Sequence, residues 1–272
     1  MKAVVFFVIF FASFISNALA LRIASFSVPA TEAIVELKKA DELVACSKFA
    51  RLPEGLKVAR MGSITNVSVE ELLRLKVDVV FVSSLMNRKV VSKLKSLHIK
   101  VIEFSYPRSF EDICADMIEV GRIVGKPKEA EKIVNQAKKQ VERIENKLKN
   151  TKPLKVFVQI GANPLYTATK HSFINDFIRF ANAINIAANA KSGLYSVEEV
   201  LRQNPDAIII SQMGFNGYKQ KKFWMQFKFL KAVKNNRILI LDDNSLCSPT
   251  PITFVKTLRK IAKFLHPEVD IE

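Results

Sequence analysis

Two short stretches of this 272-residue chain carry nearly the same sequence. SVEELLRLKVDVVFVS occupies residues 68–83 and SVEEVLRQNPDAIIIS occupies residues 196–211, with eight of sixteen positions identical at a constant offset of 128. Solenoids and propellers repeat a structural unit about every 20–50 residues. A segment that recurs only once, 128 residues later, indicates a different architecture. We expect two similar lobes, each of which uses this segment in the same way.

Each copy has the pattern of a short helix followed by a buried strand. Ser68 and Ser196 are suitable helix N-caps, and Glu71 and Glu199, three residues later, are placed to complete capping boxes. The apolar runs DVVFVS and DAIIIS are rich in β-branched residues, as buried parallel strands are. The two copies therefore predict equivalent helix–strand units in two pseudo-symmetric lobes.

Strands and helices alternate on both sides of these copies. In the first half, the strand LRIASFS (21–27) precedes helical ATEAIVELKKA, and helical NRKVVSKLKSL separates VDVVFVS from the strand KVIEF. The second half has the strand LKVFVQI, a helix near residues 173–184, the strand RILIL and a final helix. This alternation is typical of βαβ units, so the predicted fold class is α/β with two Rossmann-like lobes.

One long amphipathic helix is predicted between the two halves. Apolar residues recur every three or four positions from Ala130 to Leu148, without glycine or internal proline. At 1.5 Å per residue such a helix is roughly 35 Å long and makes a stiff connector. The predicted organisation is an N-terminal lobe (21–126), a connecting helix (127–152) and a C-terminal lobe (153–272), with a ligand cleft between the lobes.

The first twenty residues have the pattern of a cleaved secretory signal peptide. Lys2 precedes the apolar run 3–12, and Ala18-Leu19-Ala20 matches an A-x-A cleavage site. The run is shorter than the roughly 20 residues that span a bilayer, although an uncleaved anchor is the alternative. No cysteine follows the site, so no lipobox is predicted. We expect a soluble periplasmic protein without stable membrane insertion.

The chain is strongly basic, with 42 Lys and Arg against 26 Asp and Glu and a formal net charge of +16. The basic residues are spread along helix faces, for example in 128–152, so we interpret them as solvated faces and predict no nucleic-acid partner. The three cysteines, Cys46, Cys114 and Cys247, cannot all pair internally. One disulfide is compatible with an oxidising compartment, and the sequence leaves its existence open.

Signals for catalysis are absent from the sequence. It contains no GxSxG, HExxH, GxGxxG or P-loop pattern. Its three scattered histidines do not have the spacing of a transition-metal site. We therefore predict a binding protein that is not an enzyme and has no resident cofactor.

Candidate ligand contacts follow from the predicted sheets. Open parallel sheets bind ligands beyond the carboxyl ends of their strands. The residues at these places are largely apolar and uncharged, which suits a bulky ligand with apolar faces, although each is also compatible with an ordinary core position. The predicted cleft residues are Pro29, Thr31, Leu85, Met86, Asn163, Tyr166, Met213, Phe215 and Ser245.

In their order and spacing, several segments resemble the periplasmic substrate-binding proteins of ABC importers for cobalamin, ferric siderophores and haem. In that family one backbone helix joins two α/β lobes. The resemblance covers nearly all of the chain after residue 20, and FVQIGANPLYT is most similar to the cobalamin-binding branch. The segments that carry it are FSVPATEAIVEL (26–37), GSITNVSVEELLRLKVDVVFVS (62–83), KVFVQIGANPLYTATKHSFINDFI (155–178), SVEEVLRQNPDAIIIS (196–211) and FLKAVKNNRILILDDNSLCSPTPITF (229–254).

The resemblance implies a monomer that captures a bulky metal chelate and delivers it to an ABC permease dimer with its ATPase. The expected chelate is an iron complex such as a ferric siderophore, or a corrinoid such as cobalamin. Where cobalamin binders carry cleft tryptophans, this chain has SITN (63–66) and SSLMN (83–87), which adds Thr65 and Asn66 to the cleft set and leaves the chelate open. The alternatives are a haem or tetrapyrrole binder and a periplasmic ligand-sensor module for a receptor. The only tryptophan, Trp224, is expected in the core.

Three further residues carry specific expectations. His171 precedes Ser172, the predicted cap of a helix at the cleft, where a neutral imidazole is suited to bind a chelated metal axially; a surface histidine beside a cap is the alternative. In the family, one glutamate per lobe docks into arginine pockets of the permease, and Glu70 and Glu198 match those glutamates. Their alternative role is to stabilise a helix N-terminus.

Overall fold

The computed structural model of the protein describes residues 20–212 and 214–271. The predicted signal peptide lies almost wholly outside the described residues, and so does Met213 of the predicted cleft set. Among the described residues, no helix combines the length and the apolar character that a bilayer span requires.

The N-terminal lobe is built on a parallel sheet of five strands with the order β3-β2-β1-β4-β5. Because β1 and β4 are central, nearly all of their side chains are buried, as the apolar sequences require. The strands are β1 (Ile23–Ser25), β2 (Leu43–Cys46), β3 (Ala59–Arg60), β4 (Val79–Ser83) and β5 (Lys100–Phe104). The helices are α1 (Val28–Glu36), α2 (Val69–Arg74), α3 (Arg88–Ser96) and α4 (Phe110–Ile123).

The connecting helix α5 (Pro127–Leu148) has one buried stripe, from Ala130 to Leu148. That stripe packs against α4 of the first lobe and against the last helix of the chain. Proline in the first turn starts the helix without the loss of a needed hydrogen bond. The lobe boundaries at 126 and 153 stay predictions.

The C-terminal lobe has a mixed sheet with the order β10-β9-β6-β7, and β8 pairs with β6. The strand β7 is antiparallel to β6, whereas β8, β9 and β10 are parallel to their partners. The strands are β6 (Leu154–Ala162), β7 (Leu165–Thr167), β8 (Ala183–Asn185), β9 (Ala207–Ser211) and β10 (Ile238–Leu241). The helices are α6 (Ile174–Phe180), α7 (Val197–Gln203), α8 (Gly217–Trp224), α9 (Lys231–Lys234), α10 (Asp243–Cys247) and α11 (Pro251–Leu265).

A core of aromatic side chains joins the two lobes. Phe254 of α11 stacks on Phe177 with ring centroids 4.0 Å apart and lies 4.5 Å from Phe110 of α4. These residues belong to one continuous buried cluster that also includes the stripe of α5. The lobes are therefore held together by packing as well as by the connecting chain.

The predicted α/β fold with two lobes and one connecting helix is confirmed. The helix predicted near 173–184 is wrong in its extent, because α6 ends at Phe180 and the chain continues into β8. Trp224 is fully buried, as expected, and its Nε1 donates to Gln159 at 2.7 Å. Cys46 and Cys114 are buried and form no disulfide.

The capping boxes of the repeated segment are half formed. Ser68 and Ser196 accept hydrogen bonds from the backbone N–H groups of Glu71 and Glu199, as predicted. The carboxylate of Glu199, however, is bound by Arg202 at 2.6 Å and 2.9 Å instead of returning to the cap. Two hydrogen bonds from the Arg202 guanidinium thus take the place of the single backbone N–H that a capping box would offer to this carboxylate.

Candidate ligand site between the lobes

A cavity of about 640 Å³ lies between the lobes and is lined by residues of both. The N-terminal lobe contributes the first turn of α1, the segments after β4 and β5, and one face of α4. The C-terminal lobe contributes Ile160 of β6, Gly214 and residues 247–251, which lead into α11. The exposed lining surface is mostly apolar. The cavity has the size and character of a site for a bulky small molecule.

Two of the predicted cleft residues line this cavity. Pro29 lies in the first turn of α1, and Leu85, which is 63% exposed, follows β4. Of the segment 63–66, Ile64 lines the cavity, whereas Thr65 and Asn66 are exposed beside it.

Thr31 and Met86 lie elsewhere, in the core of the N-terminal lobe. The hydroxyl of Thr31 donates to the backbone oxygen of Ser27 at 2.9 Å, and the side chain is fully buried. Met86 is 2% exposed and packs in the cluster behind β4. The helix α1 begins at Val28, so its first turn meets the cavity and Thr31 already points back toward the sheet.

The described members of the predicted set that belong to the C-terminal lobe do not line the cavity. Asn163 is exposed in the turn between β6 and β7, and Phe215 packs with the core cluster around Trp224. Tyr166 is 43% exposed on β7, and Ser245 lines a separate, smaller cavity. His171 is exposed in the loop before α6, and its backbone N–H donates to Thr169 Oγ1 at 3.4 Å.

The rule of strand ends missed Asp116, which lies on α4. Asp116 is the one charged residue among the described residues that line the cavity. Its neighbours on the same helix face are Ile113, Met117 and Val120. Burial, helped by the negative charge of Asp112, raises the pKa of Asp116 to about 7. In the sequence, Asp116 could have been noticed as a carboxylate on the otherwise apolar face of a predicted helix.

Tyr106 is a second lining residue that the sequence did not single out. About half of its surface is exposed, and its ring packs on Phe173 of the other lobe at 5.6 Å. Its hydroxyl end lies close to Ser172, and desolvation there raises the pKa of Tyr106 to about 12. The neutral phenol is therefore a polar group that stays uncharged at physiological pH.

Two helix N-termini, one from each lobe, meet the cavity. Ser27 caps α1 and Thr250 caps α11, and each side chain accepts the hydrogen bond of a first-turn N–H group. Pro29 and Pro251 each remove one further donor from these first turns. Few N–H groups therefore remain to bind an anion, although a helix N-terminus otherwise favours one.

A smaller cavity of about 260 Å³ holds an acidic cluster between α1 and the C-terminal lobe. Thr250 Oγ1 donates to Glu36 Oε1 at 2.7 Å, and Arg51 pairs with Asp242 at 3.3 Å. Burial raises the pKa values of Glu32 and Glu36 to about 7. Hydrogen bonds and charge therefore couple the two lobes here, beside the apolar cavity.

Known proteins are similar to this chain in sequence and in fold. The sequence is 24% identical over 247 residues to an uncharacterised ABC transporter substrate-binding lipoprotein of Bacillus subtilis, covering 88% of this chain and 77% of that protein. It is 25% identical over 208 residues to the vitamin B12-binding protein of Yersinia pestis, covering 75% of this chain and 74% of that protein.

Among solved structures, the periplasmic haem-binding protein HutB of Vibrio cholerae superimposes with a TM-score of 0.82 at 20% sequence identity, covering 91% of this chain and all of that one. The family model described as periplasmic binding protein matches residues 23–245. This match confirms the resemblance seen in the sequence. Since the matched region is most of the chain, the protein belongs to the periplasmic binding protein family.

Proposed function

We propose that this protein is the exported substrate-binding protein of an ABC importer and that it captures a bulky metal chelate. The preferred ligand is a neutral or cationic chelate, such as a corrinoid or a hydroxamate-type ferric siderophore. The bound chelate is handed to a permease dimer that works with an ATPase. The protein acts by binding and not by catalysis.

The proposal rests mainly on the apolar cavity between the lobes. Its described lining residues include one carboxylate, Asp116, and no lysine, arginine or histidine. Apolar walls favour the burial of a large ligand body, and the hydroxyl of Tyr106 offers a neutral polar contact. An anionic ligand would bring negative charge next to Asp116 without a compensating cation, which costs binding free energy. The relatives named for ABC transport and vitamin B12 support this assignment.

A haem or other tetrapyrrole is the second candidate, because solved relatives of this fold include haem-binding proteins. The two propionates of haem are usually matched by cations, which the described cavity wall does not offer. A sensor module that presents its ligand-bound state to a receptor would use the same cavity. One relative is named a lipoprotein, and the lack of lipid attachment in this chain stays a prediction.

For docking to the permease we propose Glu70 and Glu198, one from each lobe. Both are exposed in the first turn of their helices, α2 and α7. Ser68 Oγ donates to Glu70 Oε2 at 3.0 Å, which orients this carboxylate without burying it. Exposed, paired carboxylates suit charge-assisted contacts with arginine pockets on a two-fold partner. His171 as an axial metal ligand remains a further proposal.

The test is a ligand panel measured by thermal shift and calorimetry with cyanocobalamin, ferrioxamine B, ferric citrate and hemin. A ligand present at a hundred times its Kd stabilises the native state by about 2.7 kcal/mol, which is a measurable rise in Tm. We expect cyanocobalamin or ferrioxamine B to bind more tightly than hemin and ferric citrate. Leu85→Arg should weaken binding, whereas the control Leu73→Arg, at an exposed leucine on α2, should not. Stabilisation by sugars or amino acids alone would contradict the proposal.

A further inference from the structure

The helix α8 and the turn after it form a surface that combines positive charge with exposed apolar side chains. Residues 214–237 contain seven lysines and arginines and no aspartate or glutamate. Within this segment Tyr218 is 67% exposed, Met225 40% and Phe229 55%. A soluble protein rarely clusters exposed side chains of this size, so the surface needs an explanation.

The geometry of α8 separates a buried side from an exposed side. Gly217 and Trp224 lie seven residues apart and are buried against the sheet. Tyr218, Lys222 and Met225 follow the spacing of one helix face and are all exposed. Apolar and basic side chains therefore point outward together.

A layer of aromatic rings supports this surface from below. The ring centroid of Phe227 lies 5.4 Å from that of Phe223 and 6.4 Å from that of Phe229. Trp224 underneath is fully buried and hydrogen-bonded to Gln159. Phe229 is consequently held at the surface by packed neighbours, and it cannot turn inward without displacing them.

The positive charge of this surface is largely uncompensated. Among the described lysines and arginines of residues 214–237, Lys231 forms an ion pair: its Nζ lies 3.6 Å from Asp206 Oδ1. Lys219, Lys222 and Lys228 are exposed, and no carboxylate occurs in the sequence around them. Their ammonium groups are available to an external anionic partner.

We propose that this basic aromatic face, formed by Tyr218, Lys219, Lys222, Met225, Lys228 and Phe229, binds reversibly to membranes rich in anionic phospholipids. Lysines reach lipid phosphates, while tyrosine, phenylalanine and methionine bury their apolar parts at the level of the headgroups. Double-stranded DNA or another acidic polymer without exposed bases would use the charge but leave the exposed apolar side chains without a role. The predicted export of the protein would bring this face close to a membrane surface, and the contact is independent of the ligand cavity.

The experiment is co-sedimentation of the purified protein with phosphatidylcholine vesicles that contain or lack phosphatidylglycerol. We expect binding to the anionic vesicles and loss of most binding at high salt, because a basic residue near an anionic surface strengthens partitioning by about fivefold. The triple variant Lys219→Gln/Lys222→Gln/Lys228→Gln should partition at least about tenfold more weakly. A matched control, Lys132→Gln/Lys139→Gln/Lys149→Gln, removes the same charge from exposed positions on or beside α5 and should bind nearly as well as the parent protein.

The apolar contribution is tested by Tyr218→Ser/Phe229→Ser, which should weaken vesicle binding at every salt concentration while the variant keeps the circular dichroism spectrum of the parent protein. Equal binding to vesicles with and without phosphatidylglycerol would overturn the proposal. Equal losses in the two lysine variants would also overturn it, because the effect would then be one of total charge. The protein could instead bind heparin or DNA more tightly than vesicles, with no effect of Tyr218→Ser/Phe229→Ser. That result would overturn the lipid proposal and identify an acidic polymer as the partner.

Discussion

The two copies of the repeated segment begin alike and end differently. Both helices start at a serine whose side chain accepts a backbone hydrogen bond, and both lead into a central, buried strand. The helix α2 ends with Lys76 in the left-handed region and with N–H bonds from Lys76 to Leu73 and from Val77 to Leu72. The helix α7 ends with Asn204 in the same region, with one bond to Val200 and a proline after it. The likeness is thus kept where the exposed glutamates lie and is lost at the far ends.

The lobes around these copies also differ in what they give to the cavity. The N-terminal lobe, with its wholly parallel sheet, provides most of the described lining, including Asp116 on α4. The C-terminal lobe, whose sheet carries the antiparallel β7, adds mainly the segment before α11. The two lobes therefore share their architecture but contribute unequally to the lining of the cavity.

The largest expected effect concerns the aromatic junction between the lobes. Phe254→Ala removes a fully buried ring that packs on residues of both lobes and should lower the free energy of unfolding by about 3–5 kcal/mol. The control Phe157→Ala, in a cluster confined to the C-terminal lobe, should cost a similar amount. Urea unfolding followed by circular dichroism measures both. We expect one cooperative transition for the parent protein and Phe157→Ala, and a broadened one for Phe254→Ala; two separate transitions in the parent protein would show that the lobes are not coupled.

The second prediction tests whether the two copies act as a pair. Glu70→Ala/Glu198→Ala should leave ligand affinity unchanged but reduce permease-dependent uptake by about tenfold or more, since truncating one partner of a close charge pair costs about 2–5 kcal/mol. Each single variant should show a smaller loss. The matched control Glu71→Ala/Glu199→Ala removes the adjacent glutamates and should transport normally. Normal uptake by the Glu70/Glu198 variant would leave these residues as helix-end charges.

The third prediction concerns the carboxylate on the N-terminal side of the cavity. Asp116→Asn removes one negative charge from the cavity wall. It should increase affinity for hemin by about tenfold, because the propionates are no longer repelled, and weaken binding of ferrioxamine B, because its cation loses an attractive partner. The effect should be visible by calorimetry at pH 8 and fade at pH 5, below the pKa of about 7, where Asp116 is protonated. Glu111→Gln, an exposed neighbour on α4, is the control. Unchanged relative affinities at pH 8 would separate Asp116 from ligand selection.

The fourth prediction concerns Glu36 in the acidic cluster. Burial raises its folded-state pKa to about 7 from 4.5, so the native protein holds more protons than the unfolded chain between these values. This contribution to stability is fully present below pH 4.5 and is lost as the pH rises through about 7. The free energy of unfolding should fall between pH 5 and pH 8, and in Glu36→Gln this fall should be smaller by about 1–3 kcal/mol. Urea titrations at both pH values measure it; an unchanged slope, equal to that of the exposed control Glu54→Gln, would contradict the assignment.

The fold could be predicted well from the sequence because it depends on patterns that extend over many residues. Strand–helix alternation, the repeated segment and the apolar stripe from Ala130 to Leu148 each extend over many residues. The strands β3 and β8 have two and three residues, which is too short for a periodic pattern, and they form only because β2 and β6 offer an open edge.

The cavity was predicted less completely for a geometric reason. The strand-end rule found Pro29 and Leu85 but assigned Thr31 and Met86 to the cleft, because it does not say which way a side chain turns after the strand. It could not find Asp116, which reaches the cavity from the face of a helix.

The smallest expected effect compares the two helix ends directly. Lys76 has φ of 49°, where a residue with a Cβ is strained, so Lys76→Gly should relieve that strain. Glycine also gains freedom in the unfolded chain, so the net stabilisation should be only about 0.5 kcal/mol. Asn204 has φ of 46°, which asparagine tolerates, and its Oδ1 accepts a hydrogen bond from the backbone N–H of Lys231 at 2.9 Å. Asn204→Gly should therefore destabilise the protein by about 0.5–1.5 kcal/mol through loss of that bond.

Opposite signs for the same substitution at equivalent helix ends, measured by urea unfolding, are the expected outcome. If both variants gained stability, the Asn204 bond to Lys231 would contribute nothing measurable. If both lost stability, the backbone strain at Lys76 would be too small to matter. Only opposite signs show that the side chain at the end of the second helix, Asn204, stabilises the protein by anchoring α9, whereas the side chain at the end of the first helix, Lys76, contributes nothing comparable.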